Sequence, residues 1–416
     1  MGIPKYFSSI IRKYPNVLSP FDTIKKTSDI HHLYIDSNSI IYDSVRTLEH
    51  DDITKYTGND EEFERRVYDK VIMMIDSYIR YFRPSKSVYI TFDGIAPEAK
   101  RAQQQLRRAK TKFVRRLLTE QGITEIGWDI VKITAGMPFM EKLSVAIYDA
   151  FKHREDEYHL DKLYISATDE FGEGEQKIFD LVRRQNHKEN IVVYGLDADL
   201  LMLSMIHIEY CQNIFVCREA PDFKGIKLFD NHGTDTIYGM NISKLGMCVL
   251  DTMNYKEYDA RRLLDYCFIC FFLGNDFLPH LPGVDIRTNG MEIVMMSYKN
   301  IMKNYRTKYL VGDDKITIPL FQEYIQELQF VSDKIRKNIT SMQRNMIDDK
   351  DTWTKDEIDK RMFTWSIENI GEKLYENKKI NQLLKLNEQT YEDVLKYYIT
   401  GSYISSTPIA ASSSSS

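Results

Sequence analysis

Apolar positions follow two alternating patterns from the start of the chain to about Gly290. Five short runs are mostly apolar, which is typical of strands that are buried on both faces of a sheet. These runs are "HLYID" ending at Asp36, "SVYITF" ending at Phe92, "KLYISA" ending at Ala167, "IVVYG" ending at Gly195 and "IFVCR" ending at Arg218. Between them, apolar residues recur every three or four positions, as expected for amphipathic helices. The alternation predicts an α/β fold with a parallel sheet in a three-layer arrangement.

Two of the predicted helices are long, and the chain changes character after them. "FERRVYDKVIMMIDSYIRYF" ends at Phe82, and "PEAKRAQQQLRRAKTKFVRRLL" begins at Pro97, in the first-turn position that proline tolerates. After about Gly290 the strand-like runs stop, and the pattern becomes helical and mixed in charge. The end of the chain, "GSYISSTPIAASSSSS", has low complexity and is predicted to be disordered. We therefore predict an α/β domain over residues 1–290, a C-terminal α-helical extension over 291–400 and a tail over 401–416.

The composition indicates a protein with a substantial core, but it does not indicate which molecule the protein binds. Of the 416 residues, 43% are hydrophobic, which suits a substantial core, and the net charge of −5 indicates nothing about nucleic acid. No apolar run approaches the roughly 20 residues of a membrane span. Cys267 and Cys270 form a C-x-x-C in an apolar helical run with no second ligand pair, which favours core thiols over a zinc site. We predict an intracellular protein that does not bind membranes and is cytoplasmic, with a nuclear location as the alternative.

Carboxylates follow the predicted strands, at the ends where open α/β sheets bind their ligands. The first strand ends in Asp36, and Asp93 comes directly after the second. Pairs of acids follow the next two strands, and a further acid lies in "FFLGNDFLPHLPG"; these are Glu173, Glu175, Asp197, Asp199 and Asp276. Because several carboxylates cannot all ionise close together unaided, their convergence predicts bound cations. Gly172 and Gly174 would allow a tight turn that directs both glutamates inward.

The ligand chemistry indicates which cations to expect. Carboxylates and water suit Mg²⁺ or Mn²⁺, and the absence of clustered His or Cys residues disfavours zinc. Two such ions can bind the attacking and leaving oxygens of a phosphodiester displacement. The alternative is that single acids form turns or cap helices, as Asp93 before Gly94 or Asp199 before "LLMLSMI". Acids at four consecutive strand ends, two of which carry pairs, favour the metal site.

The second long predicted helix carries a cationic face. At about 100° per residue, four of its side chains fall within an arc of about 100°. They are Lys100, Gln104, Arg107 and Arg108. The helix starts a few residues after Asp93, so this face would lie near the acids. Arginine and lysine with an amide donor suit a terminal phosphate, and the alternative is a solvated basic surface.

Seven motifs together resemble the Xrn family of 5′→3′ exoribonucleases, over the chain from Met1 to about Tyr398. They are "MGIPKYFSSIIRKYP", "LYIDSNSIIYD", "FDGIAPEAKRAQQQLRRAK", "TAGMPFMEKL", "DEFGEGEQKI", "GLDADLLML" and "FFLGNDFLPHLP". The resemblance implies a PIN-like nuclease core similar to that of flap endonucleases, so residues 1–290 are expected to be an Xrn-type nuclease domain. It also implies that the seven acids above are the catalytic metal ligands, and that the four residues of the cationic face bind a 5′-monophosphate.

Two departures from the family's pattern change what the resemblance implies. A histidine of the family that stacks on the 5′ nucleotide is replaced here by Tyr42, whose ring is also able to stack. Family members continue well beyond Tyr398, with a segment that carries an aromatic wedge and helps to enclose the active site. We therefore expect a minimal or truncated member, a size that fits a compact viral relative, and its processivity is an open question.

The acids and the resemblance together predict a function. We expect a hydrolase that uses two Mg²⁺ or Mn²⁺ ions to remove nucleotides from the 5′ end of single-stranded RNA bearing a 5′-monophosphate, in RNA decay. Two alternatives remain at this point: a flap-type, structure-specific DNA endonuclease, and a non-catalytic relative that only binds RNA. The cationic face disfavours the first, and the seven intact acids disfavour the second.

Overall fold

The computed structural model describes residues 2–3, 5–95, 108–109, 111, 113, 116, 120, 127–219, 236–275, 277–278, 280–281, 284–287, 289–312, 315–332 and 388–401. Contacts between Cα atoms divide the chain into two compact units. The first, here called the helical unit, combines Met1–Tyr6 with Met247–Tyr397, and the second, the sheet unit, combines Phe7–Gly246 with Tyr398–Ser416. The domain boundaries predicted at residues 290 and 400 stay predictions.

Seven strands form one sheet in the sheet unit. They are β1 (Leu18–Pro20), β2 (His32–Asp36), β3 (Ser87–Thr91), β4 (Lys162–Ser166), β5 (Asn190–Tyr194), β6 (Asn213–Glu219) and β7 (Ile237–Asn241). Their order across the sheet is β1-β7-β6-β5-β2-β3-β4. The five neighbouring strands β6, β5, β2, β3 and β4 are parallel to one another. By contrast, β7 is antiparallel to β6, and β1 is antiparallel to β7. The predicted α/β fold with a parallel sheet is therefore confirmed.

The two strands that the sequence pattern did not predict form the antiparallel edge. β1 has only three residues and ends at Pro20, which lacks an N–H group and is tolerated at the edge of a sheet. β7 places Gly239 opposite Cys217 of β6. β1 is too short for its sequence pattern to identify it, and Gly239 interrupts the apolar run of β7.

Eight helices accompany the sheet in the described part of this unit. They are α1 (Tyr6–Lys13), α2 (Phe21–Lys25), α3 (Asn38–His50), α4 (Asp60–Phe82), α5 (Pro138–Phe151), α6 (Glu155–Tyr158), α7 (Gly174–Gln185) and α8 (Asp199–Ile206). α4 confirms the first long predicted helix; the side chain of Asn59 accepts the amide of Glu62 at 3.3 Å, and Arg83 ends the helix at φ 49°. The second long predicted helix lies outside the described residues except at isolated positions.

The core lies between the central strands and their covering helices. β2 and β5 are buried along their whole length, which is why their sequences lack an apolar–polar alternation. Leu33 and Ile35 of β2 belong to one hydrophobic cluster with Val67 and Val71 of α4 and with Phe139 of α5. Burying side chains of this kind stabilises a fold by roughly 1.5–3 kcal/mol each, so this cluster holds β2 and its terminal Asp36 in place.

Five more helices follow β7 in the described part of the chain. They are α9 (Ile242–Thr252), α10 (Ala260–Cys270), α11 (Gly290–Met302), a helix α12 over residues 318–332 and α13 (Glu388–Thr400). Cys267 and Cys270 are fully buried in α10, and all five cysteines are thiols, as predicted. Among the residues described, no helix combines the length and the apolar character needed to cross a membrane.

Candidate metal centre

Three carboxylates meet at the carboxyl ends of the parallel strands. Asp36 is the last residue of β2, Asp197 follows β5, and Glu175 lies in the first turn of α7. Each offers one oxygen, and these oxygens lie within 4.8 Å of one another. β2 pairs in parallel with both β3 and β5, so residues that follow these strands emerge at the same edge of the sheet. The parallel topology therefore brings together acids that are far apart in the sequence.

Asp36 lies in surroundings that disfavour its charged form. Its side chain is almost fully buried, and its Oδ1 atom has no hydrogen-bond partner among the described residues. Burial, reinforced by the negative charges of Glu175, Asp93 and Asp197, raises the pKa of Asp36 well above its usual value. A buried acceptor without a donor is unfavourable. A cation bound between these oxygens would offset the repulsion among the carboxylates and would give Asp36 Oδ1 a partner.

Glycines allow the acids to approach so closely. Gly172 has φ +104°, a backbone conformation that a residue with a side chain rarely adopts, and it turns the chain between β4 and α7. A Cβ atom on Gly174 would lie 2.7 Å from Asp36 Oδ1. The first glycine thus supplies the turn that its sequence position predicts, whereas the second supplies room for the neighbouring carboxylate.

The acids outside the group of three have different surroundings. Asp93 Oδ1 accepts the amide of Gly174 at 2.8 Å, so this side chain joins the loop after β3 to the start of α7 instead of forming a local turn. Glu173 precedes α7 and is 2% exposed. Asp199 is the first residue of α8 and is buried, and the capping position belongs to Ala198, so the alternative that Asp199 caps this helix is wrong.

Four of the predicted site residues lie outside the described part of the chain, and two others are described at the surface. Asp276, Lys100, Gln104 and Arg107 lie outside the described residues. Arg108 is helical and partly exposed. Tyr42, on α3, is 41% exposed, and its ring is accessible to solvent.

Two cations close to the acids were not predicted from the sequence. Lys177 is buried in α7, where its ammonium group donates to the carbonyl oxygens of Phe92 at 2.9 Å and Ala167 at 2.8 Å. Arg218 in β6 donates from Nη1 to the carbonyl oxygen of Leu196 at 3.0 Å. The available signals were the position of Lys177 two residues after Glu175, and a charged residue at the end of an apolar run.

The donor set determines which ions fit. Only carboxylates form the group found among the described residues, and neither a histidine nor a cysteine belongs to it. Oxygen donors of this kind suit hard divalent cations such as Mg²⁺ and Mn²⁺. The buried, unpartnered Oδ1 of Asp36 provides a ligand atom that no protein donor occupies. The residues present therefore fit a divalent cation.

Comparison with known protein families places the chain. The family model described as "XRN 5′-3′ exonuclease N-terminus" matches residues 1–220, which is more than half of the chain. The chain belongs to the XRN 5′-3′ exonuclease family. A second model, described as "Xrn1 helical domain", matches residues 257–401. The predicted family membership is confirmed.

Curated relatives of the same family extend this finding. The chain is 26% identical to 5′-3′ exoribonuclease 2 of Eremothecium gossypii, with 89% of this chain and 46% of that protein covered. It is 28% identical to the protein of the same name from Candida albicans, with 81% and 40% covered. For the Arabidopsis thaliana protein of that name the identity is 27%, with 83% and 41% covered. The chain thus spans less than half the length of these relatives.

Solved structures also match, and one of them aligns along most of the chain. The catalytic core of Rad2 in complex with a DNA substrate covers 98% of this chain and 88% of its own, at a TM-score of 0.41 and 10% identity. That likeness is too remote to support an argument.

Proposed function

We propose that this chain is a divalent-metal-dependent 5′→3′ exoribonuclease that degrades single-stranded RNA from a 5′-monophosphate end. The observation that carries the proposal is the group of Asp36, Glu175 and Asp197, of which the first two are buried, in a chain of the XRN 5′-3′ exonuclease family. Relatives named 5′-3′ exoribonuclease 2 support RNA as the substrate and the 5′ end as the starting point. A role in RNA decay, in the cytoplasm or the nucleus, belongs to the same proposal.

The acids have distinct parts in the proposed reaction. Asp36, Glu175 and Asp197 would hold Mg²⁺ or Mn²⁺ directly. The remaining proposed ligands are Asp93, Glu173, Asp199 and Asp276, which would complete the coordination of two ions. When bound, such ions lower the pKa of a coordinated water and neutralise charge on the leaving oxygen. The chain itself contributes the fixed positions of the acids, for which the amide of Gly174 orients the carboxylate of Asp93.

Recognition of the RNA end is assigned to the cationic face and one aromatic ring. A terminal monophosphate carries more negative charge than an internal phosphodiester, so a cluster of cations and amide donors binds it preferentially. The proposed cluster is Lys100, Gln104, Arg107 and Arg108. Tyr42, whose ring is accessible, would stack on the first base.

A direct assay tests the activity. Purified protein is incubated with matched RNA and DNA oligomers that carry a 5′-monophosphate, a 5′-hydroxyl or a 5′-triphosphate, in Mg²⁺, in Mn²⁺ or in EDTA. We expect mononucleotides to be released from the 5′ end of monophosphorylated RNA only when a divalent ion is present. Cleavage of DNA junctions instead would support a flap-type endonuclease. Binding of RNA without any hydrolysis would support a relative that has lost its chemistry.

A substitution in the cationic face tests the recognition of the end. A hydrogen bond to a charged group contributes about 1.5–3 kcal/mol. At about 1.4 kcal/mol per decade, Arg107→Ala should lower kcat/KM on 5′-monophosphate RNA by about ten- to a hundredfold. The rate on 5′-hydroxyl RNA should change little. Arg116→Ala is the control, because the side chain of Arg116 is 79% exposed and pairs with Glu120. Equal losses on both RNA ends would refute the phosphate pocket.

A further inference from the structure

Lys177 ties together the starts of two loops that carry acids. Its buried ammonium group donates to the carbonyl of Phe92, the residue immediately before Asp93. The same group donates to the carbonyl of Ala167, the residue immediately after β4. A buried ammonium group is strongly unfavourable unless it is hydrogen-bonded, so these two bonds are needed wherever the side chain is enclosed. Both acceptors are backbone carbonyls, and the bonds therefore restrain the path of the main chain.

Arg218 makes a similar contact at the next loop. Its Nη1 donates to the carbonyl of Leu196, the residue immediately before Asp197. The guanidinium group also lies 4.5 Å from the centre of the Phe7 ring, which holds the side chain in one orientation. The neighbouring Glu219 is engaged elsewhere, because its carboxylate accepts the hydroxyl of Tyr194 at 2.7 and 2.8 Å. The Leu196 carbonyl is thus the backbone group that Arg218 holds.

The two contacts follow the same geometry at different strand ends. In each, a cation from a neighbouring element holds the carbonyl of the residue directly before an acid, which is the proposed ligand Asp93 in one case and Asp197 of the group of three in the other. Fixing that peptide unit restricts where the following Cα–Cβ bond points. Outer-shell groups that orient the ligands of a metal typically change metal affinity by 10- to 100-fold when they are removed. The two cations also offset part of the repulsion among the buried carboxylates.

We infer that Lys177 and Arg218 are positioning residues, which fix the loops of Asp93 and Asp197 so that their carboxylates can bind divalent cations. The inference rests on the proposed function for its link to hydrolysis, but the effect on metal affinity does not require RNA. If Lys177 and Arg218 acted through their charge alone, the expected change in metal affinity would have the opposite sign. If the two cations only neutralised the acids, removing one would strengthen the binding of another cation.

The sign of the change in metal affinity tests the inference. The variants Lys177→Met and Arg218→Met remove the donors while keeping a long side chain, and Arg218→Lys keeps the charge. Binding of Mn²⁺ to RNA-free protein is followed by the electron paramagnetic resonance signal of the free ion. We expect each methionine variant to bind Mn²⁺ about tenfold more weakly than wild type, and Arg218→Lys to lose less. Unchanged or tighter binding in both methionine variants would overturn the inference.

Two further measurements separate positioning from folding. Arg184→Met is the matched control, because the side chain of Arg184 is 75% exposed on α7 and pairs with Asp180; it should bind Mn²⁺ as wild type does. On RNA, the methionine variants should lower kcat and leave KM unchanged, whereas a purely structural defect would lower the melting temperature alone. If a methionine variant fails to fold, Lys177→Gln and Arg218→Lys replace it, and wild-type affinity in both would equally overturn the inference.

The outcome for the proposed function is read separately. If wild-type protein binds Mn²⁺ but releases no nucleotides from RNA, the proposed function fails, and the inference is still decided by the Mn²⁺ comparison. If wild-type protein does not bind Mn²⁺, the inference fails whatever the protein does to RNA.

Discussion

Charged side chains have opposite surroundings at the two ends of the parallel strands. At the amino end, His32 Nε2 lies 2.8 Å from the carboxylate of Glu189, and His32 Nδ1 lies 2.7 Å from the hydroxyl of Ser87. The Glu189 carboxylate also accepts a hydrogen bond from the ammonium group of Lys86. At the carboxyl end, Asp36 is surrounded by other acids, and its Oδ1 has no donor among the described residues. The charged groups at the amino end are therefore paired with one another, whereas the acids at the carboxyl end form a group that fits a divalent cation.

This contrast predicts that the amino end stabilises the fold and that the carboxyl end carries the proposed chemistry. Ion pairs and hydrogen bonds that are complete within the chain contribute to stability. Like charges held together in a buried site lower it, and they persist only where the surrounding packing enforces them. Changes at the amino end should thus lower stability and leave hydrolysis intact, whereas changes at the carboxyl end should lower hydrolysis without lowering stability.

The largest effect is expected for Asp36→Asn. Removing this carboxylate should lower the rate of RNA hydrolysis at least about 100-fold, because metal ions supply several kcal/mol of charge stabilisation and about 1.4 kcal/mol is a factor of ten. In EDTA the same variant should melt at a higher temperature than wild type, since a buried repulsive charge is gone. Asp52→Asn, at a side chain that is 96% exposed, is the control for both measurements. Wild-type turnover by Asp36→Asn would remove Asp36 from the metal centre.

A smaller loss is expected for Gly174→Ala. The added Cβ atom would lie 2.7 Å from Asp36 Oδ1, which is too close, so the carboxylate or the start of α7 must move. Small displacements of catalytic groups are costly, and we expect kcat to fall by about tenfold. Gly312→Ala is the matched control, because its Cβ atom would meet nothing closer than a carbonyl oxygen at 3.4 Å. Equal kcat values for wild type and Gly174→Ala would show that the centre tolerates the extra atom.

At the amino end, Glu189→Ala should affect stability instead of activity. The substitution leaves His32 and Lys86 without their shared acceptor, and we expect the free energy of unfolding to fall by about 1–3 kcal/mol. The rate of hydrolysis per folded molecule, measured below the melting temperature, should match wild type. A variant with normal stability and lost hydrolysis would contradict the division between the two ends.

The smallest expected effect is a dependence of stability on pH at His32. Burial lowers the pKa of His32 despite its contact with Glu189, while His187, stacked at 4.9 Å, and His31 also disfavour a second positive charge. The unfolded chain therefore takes up this proton at a higher pH than the folded chain. Stability is fully present above about pH 6.5 and falls as the pH drops below it, by at most about 1.4 kcal/mol per pH unit.

His32→Gln isolates this contribution. Burial also lowers the pKa of His207, to about 4, so wild type and variant will both lose stability in acid. The difference between their unfolding free energies should nevertheless shrink as the pH falls from 7 to 5. His153→Gln, at an exposed residue, should run parallel to wild type. A constant difference between wild type and His32→Gln would show that His32 does not titrate differently on folding.

The sequence pattern predicted the parallel strands better than the antiparallel edge. The runs of the five parallel strands are mostly apolar, and β2, β3, β5 and β6 are buried over most of their length. The predicted burial on both faces is wrong for β4, which lies at the edge of the sheet and is only partly buried. β1 and β7 were not predicted, since three residues ending at Pro20 and a short run containing Gly239 become strands only through pairing. The same limit applies to Lys177 and Arg218, whose backbone acceptors lie 10 to 85 residues away in the chain.

By itself, the sequence determined the α/β alternation, the family, and the placement of acids after strands that end at one edge. These follow from apolar periodicity and from motifs of adjacent residues, both of which are properties of short segments. Only the tertiary structure decided that Asp36, Glu175 and Asp197 bring their oxygens within 4.8 Å of one another, while Asp199 starts a helix instead of capping it. It also decided that Asp36 Oδ1 is left without a donor in the described chain. The physical reason is that distance, burial and repulsion between charges depend on how distant segments pack, which no local pattern encodes.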